Sequence, residues 1–308
     1  MLAGVDIGGT KCAVLLGDER GNVLKKQVIK TTNFKETYAA ILRELEKIQP
    51  FDAIGVSCGG PLDEENGVIL SPPNLPDWDE VKIADDFSAT FSVPVKIRND
   101  ANACAIAEHK FGAGIGFKNM IFLTFGTGMG AGIIADGKLY SGTNGNAGEI
   151  GHIRMAKNGP VGYGKIGSFE GFCSGQGIRQ LGELYAQRAA KKGILPLYAQ
   201  KESFDTPDIA NAARQGDKTA LQVFKKCGNM LGNGLAVLID VLNPERIVIG
   251  SVYARCQDLL EKPMRQTLQK ECLSVSLGAC EVVSAKLGEK IGDAAALAVA
   301  LEAYDAIR

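Results

Sequence analysis

Residues 5–11 read Val5-Asp6-Ile7-Gly8-Gly9-Thr10-Lys11, and residues 124–132 read Thr124-Phe125-Gly126-Thr127-Gly128-Met129-Gly130-Ala131-Gly132. Each glycine-rich turn follows a short apolar run, Leu2 to Ile7 and Met120 to Thr124. Each is followed by another, Cys12 to Leu16 and Gly132 to Ala135. Apolar runs on both sides of a glycine turn are the pattern of a β-hairpin. A Walker loop would need Gly-x-x-x-x-Gly-Lys-[Ser/Thr], which the chain lacks, and a Rossmann turn opens a helix, whereas strands follow here. Glycine lets the backbone approach a ligand closely and present its N–H groups, which suits an anion. Two such turns in one chain point to two jaws around a polyphosphate.

The 308 residues are enough for about two domains with a sizeable core. With 45% hydrophobic and 22% charged residues the composition is that of a globular protein. A net charge of −1 gives nothing that would draw in nucleic acid or an acidic membrane. No apolar run reaches bilayer length; the run Leu235 to Leu242 is short and holds Asp240. Asp6 interrupts any signal-peptide core, so a cytoplasmic protein is expected. The eight cysteines are scattered without a Cys-x-x-Cys and read as small apolar residues in a reducing compartment.

Periodicity predicts βββαβαβα for the first third, with helices over 33–48, 81–91 and 99–111. The second part restarts in the same style, with strands 120–124, 132–135 and 138–140. A glycine-rich loop follows over 141–175, then helices 177–192, 208–215, 217–242, 254–269 and 291–307, with strands 246–249 and 281–284 between them. Asp136-Gly137 is a hairpin-turn pair. The repeated order of strand, glycine hairpin, strand, strand and helices implies two α/β domains with mixed sheets facing a cleft. The domains are drawn as 1–118, joined by the helix at 291–308, and 119–290.

Several polar residues carry chemistry. Asp6, Thr10 and Lys11 stand on the first hairpin; Asp6 could hold Mg²⁺ through water, and Thr10 and Lys11 could meet phosphate oxygens. In Arg98-Asn99-Asp100-Ala101-Asn102-Ala103, Asn99 or Asp100 is either a helix N-cap or, for Asp100, a carboxylate able to take a proton from a hydroxyl. Gly148-Glu149-Ile150-Gly151-His152 and Glu170 place two carboxylates and an imidazole in the glycine-rich loop, a set suited to a polyhydroxyl ligand. His109, between Glu108 and Lys110 on a helix, reads as solvated.

Together these segments resemble the ROK family of repressors, open reading frames and sugar kinases, in the actin-like ATPase superfamily. The resemblance rests on residues 6–11, Gly60-Pro61-Leu62, Pro73-Asn74-Leu75-Pro76, residues 99–103, Thr127-Gly128-Met129-Gly130 and residues 147–152. It implies two actin-like, ribonuclease H-like α/β domains and an ATP-dependent phosphorylation of a hexose or N-acetylhexosamine, at O6. By the resemblance Asp6, Gly8, Gly9, Thr10 and Lys11 form the first phosphate loop, and Gly126, Thr127, Gly128 and Gly130 the second. Asp100 becomes the base, and Asn74, Asn99, Glu149, His152 and Glu170 bind the sugar. Gly250 lies beside the adenosine, where Ser251 replaces a family glycine. ATP and Mg²⁺ are the implied cofactors and a homodimer the implied assembly.

One departure stands out. The family's zinc signature, Cys-x-Cys-Gly-x-x-Gly-Cys-x-Glu, here reads Val161-Gly162-Tyr163-Gly164-Lys165-Ile166-Gly167-Ser168-Phe169-Glu170. All three cysteines are gone, so no structural zinc is expected, and packing by Val161, Tyr163 and Phe169 is expected to orient His152 instead. Two rivals to the kinase follow: a sugar-sensing regulator, disfavoured because the first loop already begins at Asp6, and a sugar-binding protein with a weakened site.

Overall fold

The computed structural model describes all 308 residues. In chain order the elements are β1 (Leu2–Ile7), β2 (Lys11–Gly17), β3 (Val23–Lys30), α1 (Phe34–Ile48), β4 (Ala53–Cys58), β5 (Leu62–Asp63), β6 (Val68–Ile69), α2 (Ile83–Phe91), β7 (Val95–Asn99) and α3 (Asp100–Phe111). Then come β8 (Met120–Phe125), β9 (Met129–Ala135), β10 (Lys138–Leu139), β11 (Val161–Gly162), β12 (Lys165–Ile166), α4 (Phe169–Phe172), α5 (Gly175–Ala190), α6 (Thr206–Arg214) and α7 (Lys218–Leu242). The chain ends with β13 (Arg246–Ile249), α8 (Val252–Arg255), α9 (Gln257–Glu271), α10 (Ser274–Ala279), β14 (Glu281–Ser284) and α11 (Ile291–Asp305). No helix is long and apolar enough to cross a membrane.

The chain forms two compact units. The first comprises Met1–Lys118, Gly132–Ala147 and Lys286–Arg308; the second comprises Asn119–Ala131 and Gly148–Ala285. Residues 132–147 and 286–290, drawn above with the second domain, pack with the first. Gly132 accounts for part of this. A Cβ there would overlap that of Ala105 and stand 2.7 Å from the Ala101 carbonyl, so only glycine lets α3 lie this close.

The first unit holds a five-stranded mixed sheet in the order β3-β2-β1-β4-β7. β1 pairs antiparallel with β2 and parallel with β4, and β4 runs parallel to β7. The register sets Asp6 opposite Ser57 and Cys58 opposite Asn99, so the ends of β1, β4 and β7 come out at one edge. In open α/β sheets ligands gather at the carboxyl ends of the strands. One face of the sheet packs on the apolar side of α1, with Ile41 and Leu45 buried, and on Trp78 and Phe87. The other takes the alanine-rich α11 against Leu2, Leu15 and Ala53.

The second sheet has the order β10-β9-β8-β13-β14, with β8, β13 and β14 parallel. The Gly250 N–H donates to the Leu123 carbonyl at 3.0 Å, so Gly126 and Gly250 leave the sheet at the same end. In the second unit the long helix α7 packs on α9 and α5.

Several elements differ from the sequence reading. β9 starts at Met129 rather than Gly132, because the glycine turn closes within three residues, with the Gly126 N–H donating to the Gly128 carbonyl at 3.0 Å. The stretch read as a turn at Leu62 opens the hairpin β5–β6, with Leu62 opposite Ile69. The helix expected over 254–269 is two helices, α8 and α9, which meet at Cys256, and the loop over 141–175 contains the hairpin β11–β12 and α4.

Candidate active site

Within the first unit, the first turn is held from outside. The Thr31 hydroxyl donates to the Gly8 carbonyl at 2.6 Å and the Thr31 N–H to the Thr10 carbonyl at 3.1 Å. Gly9, Thr10 and Lys11 remain exposed. Asn74 lies directly on this turn: a Cβ at Gly9 would stand 2.6 Å from the Asn74 carbonyl oxygen.

The choice between Asn99 and Asp100 as N-cap is decided by geometry. Asn99 has extended backbone, and its Oδ1 accepts from the Asn102 N–H at 2.8 Å, so Asn99 caps α3. Asp100 is therefore released from capping. Its Oδ1 accepts from the Ala101 N–H at 2.8 Å, which fixes the side chain. The residue has solvent-exposed surface but is set among dense protein, and that desolvation raises its carboxyl above the ordinary aspartate value.

Glu64, absent from the sequence reading, organises this segment. Its Oε1 accepts from the Asn99 N–H at 2.8 Å and from Asn102 Nδ2 at 3.0 Å, and its Oε2 accepts from Arg98 Nη1 at 3.2 Å. Its side chain is only 5% exposed. Arg98 is shared with Glu302 on α11, which also takes Lys96 at 3.2 Å. One carboxylate thus ties β7, the cap and the first turn of α3 together, immediately around Asp100. Nothing in a lone Glu64-Glu65 pair on a turn announces this, because the partners are 34 to 38 residues away.

Asp6 is half-buried at the end of β1, and its carboxyl is pushed up to about 6 by burial, then by Asp293 and by Asp100. Asp293 is itself held by Lys26, whose Nζ donates to both of its oxygens at 2.7 Å.

Within the second unit, Glu170 joins the other predicted residues. Its Oε2 accepts from the Met129 N–H at 2.9 Å, just past the second glycine turn. A Cβ on Gly128 would stand 2.7 Å from that oxygen. The Gly148 carbonyl accepts from the Ala131 N–H at 3.1 Å, which draws the Glu149–His152 segment onto β9. Glu149 and His152 are both exposed, and the His152 N–H donates to the Glu149 carbonyl at 3.2 Å. Of the three residues expected to orient His152, only Tyr163 meets it, edge to face at 6.3 Å between ring centres. Val161 is exposed and Phe169 instead lies under Gly234, so the apolar cradle drawn for His152 does not form. Lys165 secures the His152 backbone, its Nζ donating to that carbonyl at 2.7 Å. His109 is not merely solvated; its Nε2 bonds the Phe117 carbonyl at 2.9 Å.

Gly126 and Thr127 border a cavity of about 400 Å³ that lies wholly within the second unit. Gly175 at the start of α5, Asp205, Ser251 and Arg255 are among the residues that line it.

Two five-stranded mixed sheets, each with a glycine hairpin at its strand ends, give the chain the actin-like ATPase fold. The chain belongs to the ROK family, whose model matches residues 2–303. It is 33% identical to the glucokinase of Thermotoga maritima over 94% of both chains. It is 29% identical to the xylose repressor of Caldicellulosiruptor bescii over 94% of this chain and 75% of that one. A ROK family glucokinase from Streptomyces griseus, solved with glucose and AMPPNP, superposes with a TM-score of 0.78 at 30% identity, covering 98% of this chain and 99% of that one.

Two outcomes are expected of this geometry. The native chain keeps the Asp6 proton to about pH 6, while an aspartate ordinarily releases it near 3.8. Folding is therefore opposed by Asp6 ionisation, and stability falls as pH rises from about 4 through 6. Asp6→Asn should unfold at a higher temperature than the unsubstituted chain at pH 7, with the difference closing below about pH 4, read by thermal melts across pH. Glu64→Ala leaves buried donors and a guanidinium without their acceptor, and should destabilise by about 3 kcal/mol in denaturant melts. Glu64→Gln, which keeps one acceptor oxygen, should lose clearly less.

Proposed function

We propose that this protein is an ATP-dependent sugar kinase acting on a hexose or an N-acetylhexosamine, at O6. The observation that carries the reading is Asp100: a carboxylate freed from capping, fixed by Ala101, raised by desolvation and clamped in place through Glu64. A base of raised pKa takes up a hydroxyl proton more readily near neutral pH. Asp100 would accept or orient the hydroxyl proton as the sugar oxygen attacks the terminal phosphorus. Asn74, Asn99, Glu149, His152 and Glu170 would hold the remaining sugar hydroxyls. The hairpins at Gly8–Lys11 and Gly126–Gly130, with Gly250, would hold the nucleotide. Phosphoryl transfer of this kind depends on positioning and electrostatics more than on covalent steps by the protein.

The chain's residues fit a divalent ion held at a distance. Asp6 lies near the Asp293 and Asp100 carboxylates, which act on it electrostatically. That donor set suits Mg²⁺, which keeps several of its waters, and Asp6 would hold it through them. When bound it would neutralise charge on the phosphates.

The glucokinase relatives support this reading, and the xylose repressors of the same family are the reason for a second one, a sugar-sensing protein without turnover. A coupled assay of ADP release over a panel of hexoses and N-acetylhexosamines separates the two. Asp100→Asn should lower kcat by about 10²–10⁴-fold with nucleotide binding retained; a variant keeping most of its activity would sink the base assignment. We further propose that His152 works without zinc, and that the protein is a cytoplasmic homodimer. Elemental analysis of purified protein should find no stoichiometric zinc, and one equivalent per chain would refute that part.

A further inference from the structure

Ser251 sits in a backbone conformation that serine rarely adopts, φ 55° and ψ −114°. A side chain there is strained, and glycine would hold the same turn without penalty. Strain of this kind persists where the surroundings fix it, and it gathers at ligand sites. Here the surroundings are specific. Arg255 Nη2 donates to the Ser251 Oγ at 2.9 Å, one helical turn on. The backbone of Arg255 is held as well, its carbonyl accepting from Arg214 Nη2 at 2.8 Å, while Arg214 is forked onto Asp258 at 2.9 Å through both Nε and Nη2.

Arg255 also stands where two cavities adjoin. The one bordered by Gly126 and Thr127 shares Thr206, Pro207, Val252 and Arg255 with a second recess of about 400 Å³ that adds Ala210, Asn211, Arg214 and Cys256. A phosphate chain on the glycine turn would leave the rest of a nucleotide to run past Arg255 into this largely apolar recess. Guanidinium groups lie favourably over flat aromatic systems.

We infer that Ser251 is a positioning residue that holds Arg255 across the base of the bound nucleotide, and that the backbone strain at Ser251 is retained for that purpose. The inference rests on the nucleotide reading of this cavity and deepens it. Stability and affinity then move in opposite directions at one residue.

The test is direct binding by calorimetry, with adenosine, ADP and pyrophosphate as ligands and no sugar present, alongside thermal melts. Ser251→Gly should raise the melting temperature by about 2–4 °C while weakening adenosine and ADP about 3–10-fold and leaving pyrophosphate unchanged. Ser251→Ala should weaken the same two ligands without the gain in melting temperature. Arg255→Ala should weaken both further. Loss confined to ADP and pyrophosphate, or wild-type affinity in all three variants, overturns the inference while leaving the nucleotide site intact. Failure of the unsubstituted protein to bind adenosine or ADP overturns both.

Discussion

The close seating of one alanine-rich helix on two glycines is the constraint on which the first unit depends. A Cβ at Gly4 would stand 3.0 Å from that of Ala296, and a Cβ at Gly55 would overlap the Ala300 backbone nitrogen. Ordinary side chains at these two positions would push α11 outward, and overpacked contacts of this kind are destabilising. At the present depth the first turn of α11 comes beside the end of β1, where the Cβ position of Gly292 is 3.2 Å from Asp6 Oδ2. Asp293 and Asp6 then repel one another, and Glu302, further along the helix, reaches Arg98 beside the α3 cap. The acidity of Asp6 and the anchoring of the Asp100 segment thus share one packing cause.

The second unit achieves proximity by the same means with different residues. Gly128, Gly151 and Gly162 each lie so close to their neighbours that a side chain would collide with Glu170 or with backbone. The three glycines let Glu170 stand against the second glycine turn and the segment bearing Glu149 and His152 stand against β9. In both units small residues bring polar groups together, and a carboxylate fixes what they bring: Glu64 through the Asn99 N–H, Glu170 through the Met129 N–H.

What the sequence made legible follows from this. The glycine hairpins and most helices could be read because their signals are local: an apolar run, a turn residue, a 3.6-residue period. Asp136-Gly137 turned as its chemistry demands, with both residues at positive φ, 50° and 77°. Asn99 and Asp100 could not be ranked, since either can cap a helix and only backbone placement separates them. Glu64 was invisible because its meaning lies in partners distant in sequence. The split between α8 and α9 was missed because the chain around Cys256 carries no proline or glycine to mark it. The loop over 141–175 hid β11, β12 and α4, each too brief to show a period. The cradle drawn for His152 failed for a related reason. Apolar residues at the right spacing were present, but β11 pairs with β12 and turns Val161 outward, while the next helix carries Phe169 into the core.

The network around Asp100 also bears on why the site is built from polar parts. Asn102 is fully buried, yet its Oδ1 has no partner, while its amide is committed to Glu64. An unsatisfied buried acceptor costs about 1–3 kcal/mol, and an apolar residue would pack there without that loss. A partly satisfied network is therefore a poor way to stabilise a helix end. It is an effective way to fix one, because Glu64, Asn99 and Asn102 hold each other by direction as well as by contact. The strained serine in the second unit follows the same logic, with backbone energy in place of a lost hydrogen bond. In both places the chain accepts a local penalty to hold a polar group, the Asp100 carboxylate or the Arg255 guanidinium, in a single orientation.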